Sequence, residues 1–319
     1  MNFTIMTGDN RETLKTLADN SVDAIVTDPP YGIDFLGKTW DANTGALETY
    51  RECLRVLKPG GHILAFSAAR TYHHLAITLE QAGFEIRDQI MWLYSSGFPK
   101  AQDIGKAIDK RNIDNNYHGW KTALKPAHEP ICMARKPFKG STIDTVLEHG
   151  VGALNIDATR IAYEDEKDRN SIDHKVPTTA WSGHTVQVAS YVKGAFEKVE
   201  TNDLGRFPSN VLGEVEGYQK YFFCPKVSRK ERHAGIDNNH PTVKPVELMK
   251  YLIKLITPPN SVVLDPFNGS GSTGMAAVEL GHTYIGCELD PHYVEIAKRR
   301  ITAWNTPEPS GTTYEQLFE

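Results

Sequence analysis

Two stretches of this chain alternate strand and helix patterns, and a long segment without that alternation lies between them. Residues 1–95 and 236–305 alternate short apolar runs with amphipathic segments, which is typical of an α/β fold around a mostly parallel sheet. Residues 96–235 lack this rhythm and gather Gly, Pro, His, Asn and charged residues, so we predict an insertion there. The final residues, 306–319, are predicted to form a loosely held tail.

The charge of the chain is unevenly distributed along the sequence. The net charge is -5, yet residues 96–140 carry nine Lys or Arg against four acids, and residues 226–232 hold a second basic cluster. Two basic stretches on an acidic body suit a polyanion that binds one face. Charge alone, however, favours the simpler interpretation of a solvated surface with scattered lysines.

Several classes of protein are not expected from the composition. No apolar run reaches the roughly 18 residues that span a bilayer, and the N-terminus lacks the features of a secretory signal. We therefore expect a cytoplasmic protein without membrane segments. The four cysteines form no CxxC pair and the 12 histidines form no HExxH motif, so we expect neither a disulfide framework nor a metal site.

A glycine-rich turn follows a predicted strand at 261–264. The sequence from Asp265 to Gly271, DPFNGSG, leads into a helix, and a ligand can approach the backbone closely in this context. The next predicted strand ends at Glu288, where dinucleotide-binding folds place an acid on the ribose hydroxyls. The turn lacks the GxGxxG that holds a pyrophosphate, so an adenosine cofactor without phosphates fits better. For the glycines alone, a tight turn without a ligand stays open.

These residues resemble the S-adenosylmethionine motif of the amino-group DNA methyltransferases. The segment from His240 to Pro245, HPTVKP, resembles the motif that precedes it in the β arrangement of that family. The resemblance implies a Rossmann-like S-adenosylmethionine-dependent methyltransferase fold with a mostly parallel, permuted-order sheet and an inserted target-recognition region. It also implies S-adenosyl-L-methionine as the cofactor.

The same resemblance assigns cofactor-binding roles residue by residue. Asp9 resembles the acid that binds the adenine amine of the cofactor, Glu288 would hold the ribose, and the turn would line the methionine side. A surface lysine beside a helix start stays the alternative for Lys244. The candidate cofactor-binding residues are Asp9, His240, Thr242, Lys244, Asp265, Phe267, Asn268, Gly269, Ser270, Gly271 and Glu288.

A stiff turn, Asp28-Pro29-Pro30-Tyr31, follows the predicted strand at 22–26, at the end where open α/β sheets place active sites. An exocyclic base amine is a poor nucleophile because its lone pair is delocalised into the ring. The Asp28 carboxylate and the Pro29 carbonyl can accept its N–H groups and favour a more nucleophilic nitrogen, while Tyr31 stacks on the base. These four residues are the candidate catalytic centre, and a rigid surface turn is the alternative.

The implied function is site-specific methylation of adenine N6 in double-stranded DNA, by direct in-line transfer to a base flipped out of the duplex. Asp28 leans toward adenine, whereas Ser at this place is common among cytosine-N4 enzymes, which stay the first alternative. A protein-glutamine methyltransferase or a non-catalytic DNA-binding relative fits less well. Cytosine C5 methylation lacks support because no Pro-Cys dipeptide occurs. A homodimer and a partner restriction enzyme are expectations at the level of the family.

Target recognition is expected in the segment between the two motifs, residues 96–235. Within it, residues 96–100, 124–130 and 155–160 resemble stretches of phage-type and bacterial adenine methyltransferases. For Tyr117 and Trp120, local core packing is favoured over base stacking.

Overall fold

A computed structural model describes residues 2–33, 44–94, 101–170, 175–177, 196–198, 203–213, 227–234, 236–240 and 242–306. The strands are β1 (Phe3–Thr7), β2 (Val22–Thr27), β3 (Leu57–Phe66), β4 (Glu85–Leu93), β5 (His128–Arg135), β6 (Lys175–Pro177), β7 (Phe196–Lys198), β8 (Val211–Gly213), β9 (Val262–Asp265) and β10 (Thr283–Glu288). The helices are α1 (Asn10–Thr13), α2 (Leu47–Val56), α3 (Tyr72–Ala82), α4 (Ile104–Asp109), α5 (Thr142–His149), α6 (Glu166–Asn170), α7 (Arg229–His233), α8 (Val246–Ile256), α9 (Ser272–Glu279) and α10 (Pro291–Asn305).

Eight strands form one sheet in the order β1-β10-β9-β2-β3-β5-β4-β8, and β6 and β7 pair separately. Neighbouring strands of the large sheet are parallel except for the two pairs made by β5. The predicted α/β fold with a mostly parallel sheet of permuted order is confirmed. Among the helices of the described ranges, none is long and apolar enough to cross a membrane.

Helices cover both faces of the sheet, which explains why the central strands are largely apolar and buried. All six residues of β2 are buried. Ala24 and Val26 join the core cluster that contains residues of α8, α9 and α10, whereas Val22 and Ile25 join the cluster that contains residues of α2 and α3. From Ala24 to Val26 the two faces alternate with the two-residue period of a strand, and the register shift between Val22 and Ala24 interrupts this period.

The strands β2 and β9 are neighbours, and the chain leaves them in opposite directions across the sheet. From β2 it continues through α2 to β3 on one side, and from β9 it continues through α9 to β10 on the other. Such a reversal opens a crevice beyond the carboxyl ends of the two strands, where ligands of open α/β sheets bind. Both motifs of the sequence analysis lie at this crevice.

Part of the segment 96–235, which the sequence predicts as an insertion, belongs to the central sheet. Strand β5 runs antiparallel between β3 and β4, and β8 pairs with β4 at the edge. Pro130 lies inside β5, and a proline in a short apolar run argues against a central strand, so the sequence pattern conceals it. Residues 96–100 lie outside the described part of the chain. A target-recognition role for the segment stays a prediction.

The connection from β4 to β5 begins and ends at the same edge of the sheet as the crevice, and it carries exposed aromatic rings. Tyr94, just after β4, donates its N–H to Ala127, just before β5, at 2.9 Å. Tyr117 and Trp120 between them are 50% and 64% exposed and contact each other edge to face at 5.9 Å between ring centroids. The interpretation of these two rings as local core residues is therefore wrong.

Helix α10 packs directly on the turn after β9, and we expect this contact to make Gly271 hard to replace. A Cβ on Gly271 would lie 3.0 Å from the Cβ of Ala297, at a φ of +82°. Gly281 has nearly the same φ, +81°, but open space around it. Gly271→Ala should lower the free energy of unfolding by about 2–4 kcal/mol and Gly281→Ala by about 1–2 kcal/mol, measured by urea denaturation. Equal losses would contradict the tight packing of α10.

Candidate active site

Four polar side chains from three separate parts of the chain meet at the carboxyl end of β2. The Nζ atom of Lys244 lies 2.5 Å from Oδ2 of Asp28, 3.1 Å from the hydroxyl of Tyr31 and 3.4 Å from Oε2 of Glu129. The Tyr31 hydroxyl lies 2.8 Å from Oδ1 of Asp28 and 2.8 Å from Oε2 of Glu129. We call these four residues the catalytic cluster.

Local structure explains how each residue reaches the catalytic cluster. Asp28 and Tyr31 belong to the stiff Pro-Pro turn after β2, Glu129 lies at the start of β5, and Lys244 precedes the first turn of α8. Because β5 is antiparallel, its amino end lies at the edge where β2 ends. The sequence placed Lys244 near the cofactor turn; its ammonium contacts Asp28 instead. Glu129 was not expected, because no periodic pattern surrounds it.

Burial and charge act in opposite directions on the catalytic cluster. Burial lowers the pKa of Lys244, but the carboxylates of Asp28 and Glu129 outweigh it, so the pKa lies above its ordinary value. Burial, together with the same two carboxylates, raises the pKa of Tyr31 well above its ordinary value. The tyrosine therefore keeps its single hydrogen and can donate it to only one carboxylate at a time.

The buried carboxylate of Asp265 connects the end of β9 to the end of β2. Its Oδ1 accepts from the Thr27 hydroxyl at 2.7 Å and from the Phe267 N–H at 3.0 Å, and its Oδ2 accepts from the Thr273 hydroxyl at 2.6 Å. Asp265 is only 2% exposed. These hydrogen bonds fix the conformation of the glycine-rich turn. Next to Asp265 in this turn, the ring of Phe267 packs on that of Tyr50, with 6.3 Å between the centroids.

The glycine-rich turn is enclosed by Glu288 on one side and His240 on the other. Glu288 accepts from the Gly269 N–H at 2.8 Å and from the Asp290 N–H at 3.0 Å. A Cβ on Gly269 would lie 3.1 Å from Nε2 of His240. His240 also contacts the edge of Tyr293 at 4.6 Å between centroids, and burial lowers its pKa, so the ring is uncharged near neutral pH.

Two further residues of the turn point into the protein. Asn268 accepts from the Tyr284 hydroxyl at 2.8 Å, and Ser270 accepts from Nη1 of Arg300 at 2.9 Å. Arg300 is fully buried, and its Nη2 donates to the Glu231 carbonyl at 2.6 Å. Arg300 was not among the predicted site residues, although a charged residue on the apolar face of α10 is a signal that could have found it.

The segment around Asp9 lies beside the end of β10. Gly8 donates its N–H to the Glu288 carbonyl at 2.9 Å, and Asp9 caps α1 by accepting from the Arg11 N–H at 2.9 Å. The Asp9 carboxylate also pairs with the Arg11 guanidinium at 2.5 Å. Asn10 donates to the Pro266 carbonyl at 2.9 Å, which ties this segment to the glycine-rich turn.

The comparison with known families decides what kind of protein carries this arrangement. Residues 22–299 match the family model described as DNA methylase, with the short name N6_N4_Mtase. The chain belongs to this DNA methylase family. The predicted family and the predicted enzyme class, a methyltransferase, are therefore confirmed.

Curated relatives and solved structures agree with this assignment. This DNA methylase is 28% identical to the type II methyltransferase M.HindIII of Haemophilus influenzae, over 93% of this chain and 94% of the relative. It is 27% identical to the DNA adenine methyltransferase YhdJ of Escherichia coli, over 93% of this chain and 82% of the relative. The PvuII DNA methyltransferase (cytosine-N4-specific) matches with a TM-score of 0.55 at 17% identity, covering 99% of this chain and 90% of that chain, which supports the fold alone.

The predicted site residues of this DNA methylase fall into two groups. Asp28, Tyr31 and Lys244 meet in the catalytic cluster. Nδ1 of His240 lies 2.6 Å from the carbonyl oxygen of Thr242. The second group forms the glycine-rich turn or lies near it, and it comprises Asp9, His240, Thr242, Asp265, Phe267, Asn268, Gly269, Ser270, Gly271 and Glu288. Pro29 is buried and Pro30 is half-buried between the two groups.

We predict that Asp265 makes the stability of the protein depend on pH. Burial raises its pKa from 3.8 to about 6, against the hydrogen bonds from Thr273, Thr27 and Phe267. Since the folded value exceeds the unfolded one, the folded protein holds this proton more tightly. The resulting stability is present below about pH 4 and is lost as the pH rises to about 6.

Asp265→Asn removes the ionisable group. The free energy of unfolding should then no longer fall between about pH 4 and 7 by the loss that ionisation of Asp265 causes, which is at most about 3 kcal/mol. Urea denaturation at several pH values measures it. Asp157→Asn, at a side chain that is 62% exposed, is the control. A pH dependence identical to that of the unsubstituted protein would rule out the raised pKa.

Proposed function

We propose that this chain transfers the methyl group of S-adenosyl-L-methionine to the N6 amine of adenine in double-stranded DNA. The observation that carries the proposal is the hydrogen bond from Thr27 to Asp265, which holds the Asp28 turn beside the glycine-rich turn. The relative named DNA adenine methyltransferase YhdJ supports adenine as the target. Cytosine N4 is the other product that the assay below distinguishes.

The environment of Gly269 favours a cofactor without phosphates. Its N–H, which a phosphate at this turn would need, already donates to Glu288, and the carboxylate itself would repel a phosphate. Each oxygen of Glu288 keeps a second lone pair, so the carboxylate can also accept from ribose hydroxyls. His240 and Phe267 line the turn on either side, and Asp9 lies beside Glu288.

The catalytic cluster suits the charge changes of amine methylation. S-adenosyl-L-methionine supplies a methyl group on a sulfonium, and the amine forms the new C–N bond as the C–S bond breaks, so positive charge moves to the nitrogen. Asp28 and the Pro29 carbonyl accept the two N–H groups of the amine. Two carboxylates against the single ammonium of Lys244 leave the cluster negative, which stabilises the cationic nitrogen until it loses a proton.

Asp28→Asn should lower the rate of methyl transfer to DNA by at least about 100-fold, because the amide offers no negative acceptor to the cationic nitrogen. Binding of S-adenosyl-L-methionine should change little. Transfer of labelled methyl to DNA, followed by analysis of the modified nucleosides, measures both rate and product. Asp19→Asn, at the amino end of β2 and 71% exposed, is the control. Full activity of Asp28→Asn would refute the catalytic role, and N4-methylcytosine as the product would refute the adenine assignment.

DNA would approach this site along the connection between β4 and β5. Exposed basic side chains precede and follow Tyr117 and Trp120 in the sequence there, and the described part of this connection carries five of them: Lys106, Lys110, Arg111, Lys121 and Lys125. Phosphates attract such side chains, and aromatic rings stack on exposed bases. A recognition role for residues 96–235, a homodimer and a partner restriction enzyme are parts of the same proposal that rest on the family.

Trp120→Ala should weaken DNA binding by about 10-fold through the loss of base stacking, with little change in S-adenosyl-L-methionine binding. Fluorescence anisotropy with a labelled duplex measures the affinity. Leu147→Ala on α5 is the matched control: Leu147 is 81% exposed, and α5 packs through Thr145 on Gly60 near the amino end of β3, away from the crevice. Equal affinities for the two variants would remove Trp120 from the DNA interface.

A further inference from the structure

Two residues of the catalytic cluster, Lys244 and Glu129, contribute only their charge to methyl transfer as proposed so far. Both are largely buried: the side chains are 8% and 20% exposed. The Lys244 ammonium faces the rings of Phe66 and Tyr31, with 4.9 Å and 5.5 Å to the centroids. Burying an ammonium and two carboxylates costs free energy, and such groups are typical of functional sites.

The cluster presents a problem for the target amine. Asp28 must accept one amine hydrogen, yet its two oxygens already accept from the Tyr31 hydroxyl at 2.8 Å and from Lys244 at 2.5 Å. An ammonium on a carboxylate reduces the negative charge that the carboxylate offers to another donor. The amine therefore competes with Lys244 for Asp28.

Glu129 offers the displaced groups another acceptor. Its Oε2 lies 2.8 Å from the Tyr31 hydroxyl and 3.4 Å from Nζ of Lys244. Lys244 is 2.5 Å from Asp28, so a movement of Nζ by about an ångström would exchange its two carboxylate partners. The rings of Phe66 and Tyr31 hold the ammonium without accepting its hydrogens in competition, so they tolerate either position.

We propose that Glu129 is a positioning residue that draws Lys244 and the Tyr31 hydroxyl away from Asp28 when the target amine binds. Asp28 then offers its full negative charge to the amine, and Lys244 stays neutralised inside the protein. The inference rests on the proposed function, because the amine that displaces Lys244 is that of the DNA base. It adds Glu129 and Lys244 to the residues that set the rate of transfer.

A double-mutant cycle tests whether Glu129 acts through Lys244. Glu129→Gln should lower kcat for DNA methylation by about 10- to 100-fold, because Lys244 then has only Asp28 as its carboxylate partner. KM for DNA and for S-adenosyl-L-methionine should change by less than about threefold. Adding Lys244→Met to this variant should recover most of the lost kcat, since no ammonium remains to occupy Asp28. Losses that multiply would overturn the proposal and give Glu129 a separate role.

A matched control and a thermal unfolding measurement accompany the cycle. Glu148→Gln makes the same chemical change at a side chain that is 74% exposed on α5, and it should leave kcat unchanged. Glu129→Gln could lower both kcat and the unfolding temperature because the protein is damaged. If adding Lys244→Met restores neither property, Glu129 has a structural role and the proposal is overturned.

A second readout does not depend on the substrate. The pKa of Lys244, followed by NMR with lysine labelled at Cε and assigned with Lys244→Met, should fall in Glu129→Gln because one of its two carboxylate partners is lost. Tyr94, His240 and Asp265 are further titratable groups of the described residues that interact electrostatically with this cluster. An unchanged pKa would overturn the Glu129–Lys244 contact, whereas an unsubstituted protein that methylates no DNA would refute the proposed function independently of that result.

Discussion

The buried carboxylate of Asp265 is the interaction on which the two halves of the site depend. It accepts three hydrogen bonds, from Thr27 on β2, from the Phe267 N–H and from Thr273 on α9, so one side chain fixes a strand end, a turn and a helix start. Thr27 is the residue immediately before Asp28. The bond from Thr27 to Asp265 spans 238 residues of sequence. The position of the Asp28 turn therefore depends on a residue of the glycine-rich turn. Removing the carboxylate would leave buried donors without an acceptor, and such losses are larger than the net gain from a typical hydrogen bond.

A second set of contacts fixes Lys244 relative to the same turn. Arg300 on α10 donates to Ser270 in the glycine-rich turn and to the Glu231 carbonyl in α7. The Glu231 side chain in turn accepts from the Val246 N–H, at the first residue of α8, at 3.1 Å. Lys244 lies two residues before that point. These contacts therefore connect the glycine-rich turn, the short helix α7 and Lys244 through groups that are nearly all inaccessible to water. Hydrogen bonds are strong in such surroundings, and a missing partner is costly.

Local sequence patterns were sufficient for the strands and helices on either side of the crevice. Strand β2 is a largely apolar run that two prolines closely follow, and β9 is an apolar run that a glycine-rich turn follows, so both signals lie within a few residues of the feature they predict. Glu129 and β5 could not be predicted in this way. Their position depends on pairing with β3 and β4, and β5 contains a proline that a local pattern counts against a strand. Lys244 was found from its motif, but its partner could not be, because the contact with Asp28 joins residues 216 positions apart.

The separation of charge within the fold reconciles a negative chain with a polyanionic substrate. The crevice is acidic: under the proposed function, Asp28, Glu129 and Glu288 would face a reaction that starts with a sulfonium and ends with a methylated amine. Carboxylates there stabilise positive charge in both states, and they would repel DNA if they were exposed. Under the proposed function, phosphates would contact the exposed basic side chains on the connection from β4 to β5, outside the crevice. A DNA backbone bound along this connection would keep its phosphates away from the acidic crevice, so only an uncharged base would need to enter. The net charge of -5 would then not oppose DNA binding.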